Sequence, residues 1–319
     1  MTKGIFFALC AGLLWGLIFI GPLLLPDYPG MIQSAGRYTA FGLITLPLSW
    51  CQRHRLRNLH RKDWFEAFKL SLVGNLIYYT CLSSAIQRIG APISTMIVGI
   101  LPMILVVTAN IMDRKHNPNK LPWKRLVPAL FLIAIGLICI NTSELRSSAE
   151  LFNLRRYLSG IILALIAVVC WTWYPLRNAR WLQCHCHKPI TWATAQGLVT
   201  LPLATIAYGL ICLGLSITQQ EFSVPFGPRP LFFILLMITI GLLCSWLGAF
   251  CWNEASQRLP TILVGPLVTF ETLSGLAYTF LLREMWPSIL TFSGVICLVL
   301  GVAISIKPKL VDRVPYFNQ

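Results

Sequence analysis

The sequence predicts an all-α integral membrane protein: ten transmembrane helices in two inverted five-helix repeats. Three observations predict it. First, the 319 residues are 56% hydrophobic and only 12% charged, with a mean hydropathy of +0.69. Soluble domains carry about 25% charged residues, so a chain this apolar needs lipid as its solvent. Second, the apolar residues fall into ten stretches, most of them close to the roughly 20 residues that cross a bilayer. Third, the second half repeats the first. Thr45-Leu46-Pro47-Leu48 returns 155 residues on as Thr200-Leu201-Pro202-Leu203, and Trp15 returns 156 on as Trp171. Gln87-Arg88-Ile89 returns 170 on as Gln257-Arg258-Leu259, and Gly136…Cys139 returns 158 on as Gly294…Cys297. Two similar units of five spans, an odd number, must insert in opposite orientations, and membrane proteins built this way hold their binding sites between the repeats.

The spans are read in order as 4–25, 31–50, 66–87, 92–112 and 125–142, then 157–176, 190–216, 230–256, 260–282 and 286–306. Helix is the only reading, because lipid leaves the backbone no partner outside its own segment, and the strict alternation of a barrel is missing. Span 1 carries Trp15 and Pro22; span 2 carries Arg37 and Pro47. Span 3 holds Gly74, Tyr78, Tyr79, Ser83 and Ser84, and a tight turn at Pro92 leads into span 4, with Gly99 and Pro102. Proline near a helix start costs little, whereas inside a span it removes a hydrogen bond and kinks the helix. Span 5 ends the first repeat, 1–143, and 144–156 links the halves. The second repeat, 157–308, brings Trp171, Trp173 and Pro175 on span 6 and Pro202 on span 7. Span 8 carries Trp246, Trp252, Asn253 and Glu254; span 9 begins at Pro260 and carries Pro266 and Glu271; span 10 holds Gly294 and Gly301. Residues 309–319 form a tail. Trp50, Trp64, Trp123, Trp181, Trp192 and Trp286 lie near span ends and read as interfacial anchors.

Net charge is +15. With the N-terminus inside, 19 of the 26 Lys and Arg fall in inside loops, chiefly Arg53–Lys62 and Arg114–Arg125, and 7 fall outside. The positive-inside rule then places both termini in the cytoplasm, so the charge reports topology and no nucleic-acid partner is expected. The expected location is a bacterial inner (plasma) membrane. The cysteines lie mostly in apolar runs, where a free thiol packs as a small hydrophobe. Cys184-His185-Cys186-His187 is one short stretch without the second ligand pair typical of zinc sites, so no metal and no cofactor are expected.

Glu271 is the sharpest candidate for function. It lies eleven residues after Pro260, near the bilayer midplane at 1.5 Å per residue. A carboxylate there costs roughly 2.5–3.5 kcal/mol and must face a cavity or a partner, so Glu271 is a candidate for binding substrate or a proton. Asn253 and Glu254 sit near the cytoplasmic end of span 8, where Glu254 forms an inner gate or pairs with Arg258 one turn on. Arg37 attracts an anionic group, snorkels to the headgroups or pairs structurally. Trp15, Trp171, Trp173, Tyr78 and Tyr79 form an aromatic set at mid-span, away from the interface that tryptophan prefers; either they pack helices or they line a cavity for rings and cations.

The sequence resembles the drug/metabolite transporter superfamily in its ten-span form with two EamA-like repeats. The carrying residues are Ala85-Ile86-Gln87-Arg88-Ile89-Gly90-Ala91 running into Leu101-Pro102, and Asn253-Glu254-Ala255-Ser256-Gln257-Arg258-Leu259-Pro260 running into Phe270-Glu271 and Arg283-Glu284. Gly36-Arg37-Tyr38 and the small-residue tail Gly294…Gly301 add to it. One departure is Glu271-Thr272, where the family often has Glu-Pro. The resemblance implies a central cavity lined by spans 1, 3, 4, 6, 8 and 9, rocker-type alternating access, and export of small organic metabolites, among them aromatic amino acids. The expected function is a secondary-active or facilitative transporter exporting small amino-acid-like or amine metabolites; the expected partners are a small-molecule substrate, the lipid bilayer and protons. The alternatives are a channel and a non-transporting membrane sensor or scaffold. No G-x-x-x-x-G-K-[ST] stretch is present for ATP drive, and no HExxH or GxSxG stretch suggests an enzyme.

Overall fold

The computed structural model describes residues 2–98, 100–112, 123–145, 154–185, 188–218, 222–259, 263–283 and 288–306. Gly99, Pro260, Cys186-His187, Glu284, Trp286, most of the linker 144–156 and the tail 309–319 lie outside these residues. Every regular element among the described residues is helical. They are α1 (Thr2–Gly16) with a 3₁₀ turn (Leu17–Phe19), α2 (Ile20–Leu24), α3 (Gly30–Cys51), α4 (Arg53–Arg57) and α5 (Arg61–Leu70). A π-helical segment, π1 (Ser71–Ile77), joins α5 to α6 (Tyr78–Val98), and α7 (Leu101–Met112) and α8 (Trp123–Leu145) come next. The second half has α9 (Leu154–His185), α10 (Pro189–Thr218), α11 (Pro230–Ile240), π2 (Gly241–Leu247), α12 (Gly248–Arg258), α13 (Val264–Arg283) and α14 (Ile289–Ile306).

Three stretches are long and apolar enough to cross a bilayer by themselves: Leu154–His185, Pro189–Thr218 and Pro230–Arg258. Shorter apolar helices cover Thr2–Gly16, Val127–Gly136, Leu267–Leu282 and Ile289–Gly301. Their burial pattern is that of a lipid-solvated bundle. On α10, Ile206, Leu210, Leu213 and Ile217 are exposed at helical spacing, while Thr194, Gln196, Gly197 and Thr200 are buried. On α14, Ile289, Phe292, Ile296 and Leu300 point outward. A water-soluble helix buries its apolar stripe; here the large apolar side chains face out and small or polar ones face in, as helix packing in membranes favours.

Close helix crossings set the bundle. A Cβ on Gly42 of α3 would lie 2.5 Å from Leu201 of α10, and one on Gly197 of α10 would lie 2.2 Å from Thr45 of α3. A Cβ on Gly136 of α8 would lie 2.6 Å from the carbonyl oxygen of Gly294 on α14. α1 packs on α12 and α13, as α9 packs on α6 and α7. The two π segments stand 170 residues apart, the spacing of the repeated Gln-Arg pair. A π turn carries an extra residue per turn, and such turns recur at functional sites.

Several boundaries differ from those read in the sequence. α6 does not turn at residue 92 but runs on to Val98, and α7 begins at Leu101, which places Pro102 in a first turn, where proline fits. Neighbouring membrane helices let a helix pass through proline. α9 continues past Pro175 to His185, because the polar residues that looked like a loop are paired against other helices. α8 extends to Leu145, two residues past the expected repeat boundary.

Candidate functional site

Seven elements bring residues together inside the bundle. Trp171 on α9 is the hub. It stacks on Tyr78 at 4.7 Å and on Tyr174 at 5.3 Å, both nearly parallel, and meets Trp15 of α1 edge-on at 5.7 Å. Trp15 also lies against Trp252 of α12 at 5.3 Å and donates from Nε1 to the carbonyl of Cys244 in π2 at 2.9 Å. Gly248, which opens α12, leaves room for this ring: a Cβ there would stand 2.7 Å from Trp15 Nε1.

Arg37 of α3 is not at the headgroups. It is 6% exposed, which rules out snorkelling, and Nε donates to Ser245 Oγ of π2 at 2.9 Å. Its guanidinium lies over the rings of Tyr38 and Tyr79, at 4.9 and 5.6 Å from their centroids. Glu271 of α13 is 9% exposed. Its backbone packs on Gly12 of α1, so the close α1–α13 crossing fixes its height. Arg37 and Glu271 form no salt bridge among the described residues. Trp15, Trp171, Tyr78, Tyr79 and Arg37 share one region, and Glu271 joins it at the α1–α13 crossing, beside Gly12 and about one turn of α1 from Trp15.

The remaining candidates lie elsewhere. Trp173 packs toward the Ala67, Leu70 and Leu182 cluster. Glu254 pairs with Arg258 on the last turn of α12, and Arg258 also covers Phe7 at 5.5 Å. Asn253 belongs to a buried polar network. It accepts from Asn178 Nδ2 at 2.8 Å, and Asn178 Oδ1 accepts from Trp192 Nε1 at 2.8 Å and Gln196 Nε2 at 3.0 Å. Gln196 Oε1 accepts from Tyr174 Oη at 3.1 Å, and the Gln196 carbonyl accepts from Ser71 Oγ of π1 at 3.1 Å. Trp192 is fully buried in this network and is not the interfacial anchor expected from its place near a span end; the indole N–H is satisfied inside the protein. Beside the network, Glu66 of α5 is held by Arg177 of α9 and Lys69.

These contacts tie α5, α9, α10 and α12 at one end of the bundle. At the other end Tyr28 stacks on Phe233 at 5.0 Å, donates to the Phe226 carbonyl at 2.9 Å, and accepts from the Arg229 backbone N–H at 2.8 Å. Arg229 pairs with Asp27 at 2.9 Å. Near the first end, Trp252 Nε1 and Ser256 Oγ are buried without hydrogen-bond partners among the described residues, and a void of about 10 Å³ lies between them and Ala8, Leu259 and Leu267, room for about one water. Among the described residues no group of three His, Cys, Asp or Glu is placed to hold a metal ion.

Sequence reasoning missed Tyr38, Tyr174, Ser245, Asn178 and Gln196. The available signal was chemical: an uncharged polar residue inside an apolar helix needs a partner across the interface.

An all-helical, lipid-solvated bundle that encloses opposite charges among aromatic rings defines a class of membrane transporter. Residues 2–142 match the model of the EamA-like transporter family, and the chain belongs to that family, within the drug/metabolite transporter superfamily. It is 56% identical over 310 residues, 97% of this chain and 96% of the other, to the inner membrane protein YtfF of Escherichia coli strain K12. A solved crystal structure that is 16% identical shares the fold, with a TM-score of 0.73 over 98% of this chain and 100% of that one.

Proposed function

We propose that this membrane transporter exports small amino-acid-like or amine metabolites by alternating access, as a secondary-active or facilitative carrier and not an enzyme. The observation that carries this reading is the convergence of Arg37, Glu271 and the Trp15–Trp171–Tyr78 rings from separate helices at mid-bundle. Opposite charges buried within a membrane mark a substrate or ion pathway, and aromatic faces suit rings and cations.

Two inverted five-span repeats, 1–143 and 157–308, provide the scaffold in this reading. Its support is the 170-residue spacing of π1 and π2 and the matched pairing of α1 with α12 and α9 with α6. The polar network around Asn178 and the Glu66–Arg177 pair close one end, and the Tyr28–Arg229 contacts close the other. Rocking of one repeat against the other opens each end in turn. The inner-membrane location of the E. coli relative supports the same membrane for this chain, and the Lys and Arg distribution supports two cytoplasmic termini.

Counterflow of labelled amino acids and amines into proteoliposomes tests the reading. The expected result is saturable flux that Glu271→Gln reduces at least about tenfold, with loss of its pH dependence. Unsaturable flux indicates a channel, and unchanged transport and pH profile in Glu271→Gln removes the carboxylate from the mechanism.

A further inference from the structure

The acids and rings of α5 stand on the opposite sides from those of a water-soluble helix. Asp63 and Glu66 are both 2% exposed, while Phe65 is 62% exposed and Phe68 also faces out. Both carboxylates are engaged inside the protein. Asp63 accepts from the His60 backbone N–H at 2.8 Å, and Glu66 is held by Arg177 and Lys69. α4 is pinned as well: Leu56 is buried, and Gln52, just before the helix, donates from Nε2 to Thr194 Oγ1 of α10 at 3.1 Å. One sign of charge is left outside. Arg53, Arg55, Arg57, Arg61 and Lys62 are all exposed, and no carboxylate pairs with them among the described residues. Trp50, 74% exposed, has Arg53 over its ring at 5.6 Å, and Phe65 has Lys69 over its ring at 4.9 Å. The positive-inside rule accounts for the number of cations. It does not account for acids turned in and rings turned out.

Exposed rings beside unpaired cations suit the headgroup layer of a bilayer. There the ring enters the acyl boundary and the long cationic side chain reaches back to phosphate. We infer that the end of α3 together with α4 and α5 is a docking surface for anionic phospholipid: Arg53, Arg55, Arg57, Arg61 and Lys62 hold the headgroup phosphates, and Trp50 and Phe65 rest on the acyl chains. Charge complementarity selects the occupant. Clusters of about four to eight basic residues beside a membrane helix attract anionic lipid, whereas a zwitterionic headgroup brings a cation of its own. The position of the rings favours lipid over nucleic acid, because they flank helices that run on into the bundle: α3 ends at Cys51, and α5 continues through π1 into α6. The buried contacts of Leu56, Asp63 and Glu66 hold the surface in shape before lipid arrives, which lowers the ordering cost of binding. None of these residues belongs to the central aromatic region, so the surface stands apart from the transport reading.

The test is native mass spectrometry of the purified full-length protein in detergent, mixed with phosphatidylglycerol and phosphatidylcholine of identical acyl chains. The unmodified protein is expected to retain phosphatidylglycerol at least about tenfold over phosphatidylcholine, since each basic residue near the lipid adds to the preference. Arg53→Gln/Arg55→Gln/Arg57→Gln/Arg61→Gln/Lys62→Gln is expected to cut the preference to less than about twofold. Arg114→Gln/Lys115→Gln/Lys120→Gln/Lys124→Gln/Arg125→Gln removes the same number of charges from the other basic loop and is expected to keep it. Arg53→Lys/Arg55→Lys/Arg57→Lys/Arg61→Lys is expected to keep it too, because the charge is retained. If the first variant does not elute as folded protein, Arg53→Gln/Arg55→Gln/Arg57→Gln stands in, with an expected loss of at least about threefold.

Equal retention of the two lipids by the unmodified protein overturns the inference. So does a folded α4–α5 variant that keeps the preference. A second-loop variant that loses it to the same degree also overturns it, because net charge is then the cause. Glycerol 1-phosphate in molar excess is expected to leave the bound phosphatidylglycerol in place; displacement assigns the surface to free phosphate esters and overturns the lipid assignment. An oligonucleotide retained at physiological salt by the unmodified protein but not by the α4–α5 variant, without any lipid preference, assigns the surface to nucleic acid and overturns it as well.

Discussion

Residues 61–98 and 230–258 share one design. Each enters as an α-helix, widens into seven residues of π-helix, and tightens again into an α-helix. The residue just beyond the wide turn differs. After π1 comes Tyr78, whose ring stacks on Trp171. At the matching place after π2 comes Gly248, and there Trp15 fills the space. Trp15 and Trp171 stand 156 residues apart and are matched in the proposed repeat. Trp15 is buried and bonded to the Cys244 carbonyl, while Trp171 is only half-buried, with Tyr78 and Tyr174 both stacked on it. One scaffold thus carries a sealed tryptophan in one place and a presented one in the other. The charges divide in the same way: Arg37 comes from the first half and Glu271 from the second. Under the proposed duplication these are matched positions, and single-residue differences between them give the proposed site two unlike ends.

Filling the hole is expected to have the largest effect. Gly248→Leu drives a branched side chain into the Trp15 ring, an overpacking that costs about 3 kcal/mol or more. The expected result is loss of folded protein by fluorescence-detected gel filtration, whereas Tyr78→Leu, at the matching position, retains a normal elution profile. Equal behaviour of the two would break the comparison. Next is the polar network. Asn178→Ala leaves Asn253, Trp192 and Gln196 each short of a partner, at about 1–3 kcal/mol per stranded group, and the melting temperature in detergent falls accordingly.

The two tryptophans then sharpen the contrast. Trp15→Phe removes the donor to the Cys244 carbonyl and is expected to cost about 1 kcal/mol of stability. Trp171→Phe removes no hydrogen bond among the described residues; it is expected to leave the melt in place and to raise the KM of counterflow several-fold. The smallest effect belongs to Arg229→Ala. Its pair with Asp27 is exposed on both sides, so stability changes by less than about 1 kcal/mol.

Much of the fold was legible because lipid imposes one rule on every residue. Apolar runs of the right length mark helices, and the repeated Thr-Leu-Pro-Leu and Gln-Arg-Ile/Leu words are what the proposed duplication rests on. The ends of helices were harder. Arg177 and Asn178 read as a loop, yet one meets Glu66, 111 residues away, and the other is the centre of a buried network that reaches Asn253, 75 residues away; partners on other helices leave no local mark. Trp192 was read by its distance from a span end, and its burial depends on Asn178, which no periodicity announces. Glu271 and the Trp15–Trp171 pair could be singled out because charge and large rings at mid-span are costly or unusual. That Arg37 stands over Tyr38 and Tyr79, and not at the membrane surface, is a consequence of the packing of α3 against π2 and could not be read from span 2 alone.

The wide turn before Tyr78 also sets how far the chain tolerates a change of length. Each residue of an α-helix advances the side chain by about 100°. Deleting one residue between 71 and 77 lets the wide turn tighten into an α-helix, which largely keeps the two tyrosines facing Trp171 and Arg37. Deleting one residue from the α-helical part between 61 and 70 has no such slack to draw on except this turn. The extra residue is thus a reserve of phase, and a second deletion would exhaust it and rotate every contact downstream.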